Sequence, residues 1–232
     1  MRNLTLFSGG AAQAVVTGLQ RDFEQAQGCT LAATFGAVGA MRDKLLAGEP
    51  CDLLVLSAAL IERLEADGRV VAGSARRLGK VATGVAVRVD AAAVDVKTTD
   101  ALKATLAGAR GVYVPDLRMS TAGIHIAGML DALNLTEALA GRIHEFPNGA
   151  AAMRELARSH GQALVGCTQV TEIMYTPGVK LVGELPAAYA LSTVYSAAVC
   201  SAAREPALAA RMVDALAGAG SAPLRRRSGF TL

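Results

Sequence analysis

The sequence has no tryptophan, and its five phenylalanines and four tyrosines are scattered along the chain. Base-stacking surfaces need clustered aromatics beside a basic patch, so a nucleic-acid partner is excluded. Charge of one sign is also scarce. Lys and Arg exceed Asp and Glu by a formal +3 over 232 residues, too small and too evenly spread to attract a polyanion. The one local excess, Arg225, Arg226 and Arg227, reads as a solvated helix terminus favoured by the macrodipole. No uninterrupted apolar run reaches about 18 residues, so neither a membrane-spanning helix nor a membrane partner is expected. A leader with a basic start, an apolar run and a small-residue cleavage site is lacking too. Leu4, Leu6 and Phe7 already read as a first strand, and the expected residence is cytoplasmic. The four cysteines, Cys29, Cys51, Cys167 and Cys200, show no CxxC or Cys/His spacing, so no metal and no cofactor are expected. In a reducing compartment they serve as small hydrophobes.

What the chain does have is apolar bulk. Hydrophobic residues make up 52% and charged residues 19%, which at this length gives enough core for two lobes and excludes disorder. From residue 4, short apolar runs alternate with amphipathic stretches, the grammar of an α/β sheet with mostly parallel strands. Leu4 to Phe7 predicts a strand, Ser8-Gly9-Gly10 a turn, and Ala12, Val15, Val16, Leu19 and Phe23 a helix ended by Gly28. Thr30 to Phe35, Asp52 to Leu56, Gly111 to Val114 and Ala163 to Gly166 predict further strands. Helices are expected around Met41 and Leu45, from Thr121 to Leu133, around Met153 and Leu156, and over Leu208, Met212 and Leu216. Two long strands, Leu78 to Val89 and Leu191 to Cys200, carry the chain between lobes. The expected division is a first lobe of residues 1–82 plus 193–232 and a second lobe of 83–192, each a mostly parallel sheet flanked by helices.

Four turns of small residues follow predicted strands and lead into helices: Ser8-Gly9-Gly10, Ala37-Val38-Gly39, Ser120-Thr121-Ala122 and Cys167-Thr168. Such a turn presents free backbone N–H groups and the positive end of a helix dipole, which hold an anion. Each turn by itself reads equally as a cap or a tight turn. With two in each lobe at equivalent strand ends, they point together to a small anionic ligand.

Several segments resemble the periplasmic molybdate-binding protein family. They are Leu4-Thr5-Leu6-Phe7 with its small-residue turn, the run from Ala47-Gly48-Glu49-Pro50 to Ser57, the Pro115-to-Gly123 loop, and the Arg-rich closing helix running into Gly229-Phe230. The resemblance spans almost the whole chain and implies the type 2 periplasmic-binding fold, with two α/β lobes closing on a ligand. It also implies that a serine hydroxyl from each of the first two turns should meet an oxyanion. Here Ala11, and Ala37 or Val38, stand at the matching positions, and the family's tyrosine is replaced near Cys167 and Thr168. An oxyanion would lose about 1–3 kcal/mol per missing hydrogen bond, so a changed ligand is expected.

An organic di- or tricarboxylate suits these turns better. Val38 and Met119 would meet its carbon skeleton and Arg118 would pair with a carboxylate. Candidate proton-moving groups are His125 early in the second-lobe helix, Glu172 one turn beyond Thr168, and Cys167, placed at a helix N-terminus where its pKa would fall. Aconitate isomerase is similar to the molybdate-binding family as well, which implies a cytoplasmic isomerase shifting an allylic proton. The alternatives are an oxyanion-binding component of an ABC transport system, or a cytoplasmic ligand sensor.

Overall fold

The computed structural model describes residues 2–232, and its elements follow the apolar pattern closely. In chain order they are β1 (Arg2–Gly9), α1 (Gln13–Gln27), β2 (Cys29–Gly36), α2 (Val38–Leu46), β3 (Leu53–Ser57), α3 (Ala58–Ala66), β4 (Arg76–Arg88), α4 (Thr99–Gly108), β5 (Gly111–Pro115), α5 (Thr121–Ala132) and β6 (Ile143–Phe146). Then come α6 (Gly149–Arg158), β7 (Leu164–Gln169), α7 (Val170–Tyr175), β8 (Val179–Glu184), β9 (Ser192–Val199), α8 (Pro206–Ala217) and α9 (Ala222–Arg227). The chain forms two compact units. One runs up to Val81 and resumes at Thr193–Leu232; the other is Ala82–Ser192.

In the first unit the sheet order is β2-β1-β3-β9. The pairs β1–β2 and β1–β3 are parallel, and β9 closes antiparallel on β3. Strand β3 is buried from Leu53 to Leu56, as a strand covered on both faces should be. Helix α1 turns Val15, Val16 and Phe23 onto the core and ends at Gly28, whose φ of 58° is the left-handed conformation that glycine adopts without a Cβ penalty. Asp52, buried just before β3, ties elements together. Its carboxylate accepts from Thr5 N and Thr5 Oγ1, both at 2.7 Å, and from the N–H groups of Arg204 (2.7 Å) and Glu205 (3.1 Å) ahead of α8.

The solvated-terminus reading fails for Arg225. Its side chain is buried, and its guanidinium donates to the carbonyls of Leu78, Ala217 and Gly218, binding α9 to β4 and to the end of α8. Arg226 and Arg227 are exposed as expected. One turn of α9 puts three cations in three different directions, so a charge run does not mark one face.

In the second unit β4, β7, β5 and β6 follow one another, with β8 on the other side of β4. The pairs β5–β6 and β5–β7 are parallel, while β7 and β8 run antiparallel to β4. The sequence pattern misses β6 and β8, whose residues are largely solvent-facing. It also misses α4, although Thr98 caps it through Ala101 N and Leu102 and Leu106 form its buried stripe. No helix among the described residues is long and apolar enough to cross a membrane.

Candidate functional site

In the first unit the first two small-residue turns lie side by side because their strands are parallel neighbours. Gly9 pairs with Gly36, so β1 and β2 end at the same level. Ser8 and Gly9 are the last residues of β1, and Gly10 opens a 3-10 turn, Gly10–Ala12, that feeds α1. Ala37 precedes α2, which Val38 and Gly39 begin. A Cβ on Gly9 would stand 2.9 Å from Val38 Cγ1 and 3.1 Å from Tyr195 Cε1, so glycine there is a condition of the two turns meeting. Neither α1 nor α2 has a side-chain cap. Ser8 is fully buried and its Oγ donates to Gly9 O at 2.9 Å, which spends its proton locally. Ala11, Ala37 and Val38 supply no hydroxyl, so the groups suited to an anion here are main-chain N–H groups.

In the second unit the Pro115-to-Thr121 loop is more fully satisfied than the small-residue pattern suggests. Asp116 Oδ1 accepts from the N–H groups of Arg118 and Met119, both at 2.8 Å, and Glu145 accepts from Leu117 N. Ser120 caps α5 by accepting from Gly123 N at 3.4 Å. The Ser120 oxygen is therefore occupied by its own helix, and Thr121 is the first residue of α5. Arg118 is exposed, and its guanidinium has no carboxylate partner among the described residues. His125 is half-buried, and its Nε2 lies 2.8 Å from the carbonyl oxygen of Tyr189. A carbonyl only accepts, so Nε2 carries a proton and donates, which makes Nδ1 the ring nitrogen that can gain or lose one.

The expectation for Cys167 is corrected. It lies inside β7, two residues short of α7, and is fully buried, with burial pushing its thiol up to about 12. Without a helix N-terminus or a neighbouring cation nothing favours the thiolate. Thr168 differs from expectation as well: its Oγ1 donates to Glu172 Oε2 at 2.6 Å, inside the protein. The same buried carboxylate takes the N–H groups of Gly149, Ala150 and Gln169. Burial pushes the Glu172 carboxyl up, against the pull of these four donors. Glu172 is thus a buried structural group, tied by its own hydrogen bonds to the start of α6.

Sequence reasoning missed a group of buried polar side chains at the carboxyl end of β7. Thr83 on β4 pairs with Gln169 on β7, and Thr171 follows two residues later. Thr83 Oγ1 and Thr171 Oγ1 are buried without a protein partner. Leaving a buried hydroxyl unpaired costs about 1–3 kcal/mol, so water or a ligand is needed there. A threonine in the otherwise apolar run Val81 to Val87 was the available signal. Tyr195, buried beside Gly9, was missed because it reads as an ordinary strand residue.

A family model described as bacterial extracellular solute-binding protein matches residues 4–231. Aconitate isomerase from a Pseudomonas species is 29% identical over 236 residues, which cover 98% of this chain and 87% of that protein. Among solved structures, the periplasmic molybdate-binding protein of Azotobacter vinelandii is similar with a TM-score of 0.79 at 18% identity over 99% of both chains. The sulfate-binding protein of Mycobacterium tuberculosis gives 0.75 at 16% identity, over 99% of this chain and 86% of that one. The likeness to these structures is one of fold, that of the periplasmic binding proteins.

Proposed function

Taking as premise that the chain belongs to the bacterial extracellular solute-binding protein family, we propose that it binds a small di- or tricarboxylate and moves an allylic proton on it. The observation that carries this reading is the 29% identity to an aconitate isomerase along nearly the whole chain. Three features, one in the first unit and two in the second, support it. The paired turns of the first unit offer backbone N–H groups and hardly any hydroxyl, which suits a planar carboxylate better than a tetrahedral oxyanion. Arg118 has an unpaired planar fork that matches a carboxylate. His125 has a free ring nitrogen to take a proton from carbon and return it at the other end of the allyl system. In such a step the C–H electron pair becomes part of a delocalised anion, and reprotonation elsewhere restores neutrality at carbon without any co-reactant.

A second reading is simple binding of a tetrahedral oxyanion, favoured by the fold neighbours named for molybdate and sulfate. Proton NMR of cis- and trans-aconitate with purified protein in heavy water, run beside calorimetry with molybdate and sulfate, separates the two. Interconversion with deuterium entering the allylic position is the expected result. Submicromolar molybdate binding with both aconitates unchanged would put the oxyanion reading in its place.

A further inference from the structure

Pairing of β3 with β9 brings two of the four cysteines together. The antiparallel register runs through Leu53 and Val199, and one step further the N–H of Cys200 donates to Asp52 O at 2.9 Å. Cys51 is the next residue back along the chain. Its Sγ donates to Leu53 O at 3.1 Å, and the Cys200 thiol is hydrogen-bonded to it in turn. Both residues are buried, Cys51 at 6% exposure and Cys200 at 1%. Cys29 and Cys167 stand apart, at the start of β2 and in the other unit.

The small exposure of Cys51 is well placed. A cavity of about 450 Å³ has Cys51 in its wall, together with Gly48, Gly68 and Ser201. Arg69 and Arg204 line it as well, both exposed and neither with a carboxylate partner among the described residues. Its one acidic lining residue, Glu49, is held by Lys44 Nζ at 2.9 Å. The cavity therefore sets two free cations around a wall that contains Cys51.

We propose that Cys51 and Cys200 form a redox pair, oxidised to an intramolecular disulfide by a small anionic disulfide that enters this cavity. Cys51, which faces the cavity, attacks one sulfur of the donor, loses its proton, and releases one donor thiol, leaving a mixed disulfide. Cys200 then loses its proton, attacks the Cys51 sulfur, and releases the second donor thiol. In sum two protein thiols give up two electrons and two protons, and the donor disulfide takes them up as two thiols. The hydrogen bond to Cys51 and burial push the Cys200 thiol up, which keeps it protonated and leaves the first attack to Cys51.

The test uses the full chain and oxidised glutathione as the donor. After incubation the protein is quenched in acid, unfolded and alkylated, and its intact mass and peptide map are read. Two alkylated cysteines, a cross-linked Cys51–Cys200 peptide and no retained glutathione are expected. The cross-link closes a long loop and should raise Tm by about 5–10 °C. Cys200→Ser should stop at the first step, with one glutathione retained on Cys51. Arg69→Gln/Arg204→Gln should slow oxidation by glutathione disulfide at least about threefold while leaving the rate with neutral hydroxyethyl disulfide unchanged. Four alkylated cysteines, or a cross-link that includes Cys29 or Cys167, would overturn the pair. Equal rates for the two donors in both proteins would overturn the anionic donor. If Cys200→Ser fails to fold, the peptide map of the unaltered protein decides.

Discussion

Thr168 Oγ1 lies 2.6 Å from Glu172 Oε2, a buried bond that ties the end of β7 to the first turn of α7. The N–H groups of Gly149 and Ala150 at the start of α6 meet the same carboxyl group, so the protein's own side chain fills that helix terminus.

This arrangement predicts an unusual pH dependence for stability. Burial holds the folded-state pKa of Glu172 above the unfolded value of about 4.3, so the group favours folding when protonated. Its contribution is complete below that unfolded value and is lost as pH rises through the folded one. Urea unfolding between pH 4 and 8 should show Glu172→Gln gaining on the unaltered protein as pH rises. The gain should be about 1.4 kcal/mol for each unit by which folding raises the pKa. A difference that is flat with pH would show that the carboxyl is not perturbed.

Gly149 is the second member of the same arrangement. A Cβ at Gly149 would fall on the Glu172 carboxylate and the Thr168 hydroxyl, both locked in place. Gly149→Ala should cost about 2–4 kcal/mol in denaturant unfolding, well beyond an ordinary glycine replacement. In the Glu172→Ala background the cost should shrink, since the obstructing carboxylate is gone. A double-mutant cycle measures that coupling.

How much of this was legible from the residues depends on the scale of the question. Strands and helices with a buried stripe, such as Leu53 to Leu56 or Val15, Val16 and Phe23, follow from apolar spacing alone. The edge strands over Ile143–Phe146 and Val179–Glu184 do not, because main-chain pairing and not apolar burial makes them strands. At the site, Gly9 and Val38 were recognised as turn residues, and their meeting required the parallel register of β1 and β2. Cys167 and Thr168 were misjudged for one reason: β7 runs on to Gln169, which moves the helix start beyond both. Hydroxyls that bond within the protein, like those of Ser8 and Thr168, look the same in a sequence as hydroxyls that bind a ligand.

Asp52 predicts the opposite pH response. Burial alone would raise its carboxyl, but hydrogen bonds from Thr5, Glu205 and Arg204 outweigh burial and hold it below the usual carboxylate range. A depressed folded-state pKa means stability that is present above the unfolded value of about 3.9 and is lost as pH falls through the folded one. Asp52→Asn should therefore cost about 1.5–3 kcal/mol near neutral pH. The two proteins should converge in acid. Thermal unfolding from pH 7 down to pH 3 checks both halves.

The proposed chemistry makes its sharpest claim on Arg118 and His125, because the two residues should fail differently. Arg118 is exposed and unpaired, so replacing it leaves the fold intact; its proposed contact, to a substrate carboxylate, exists before and during proton transfer. Arg118→Ala should raise KM and lower kcat/KM by about ten- to more than a hundredfold, the worth of one charge-assisted hydrogen bond. His125→Gln retains a donor for the Tyr189 carbonyl and removes only the nitrogen that would take the proton. Its kcat with aconitate should fall about a hundredfold or more while KM changes little. Deuterium exchange at the allylic carbon should fall in the same proportion, because exchange and isomerisation share the proton-removal step. Loss of binding without loss of exchange in His125→Gln would make the histidine a pin for the Tyr189 turn, and the base would have to be sought among other groups.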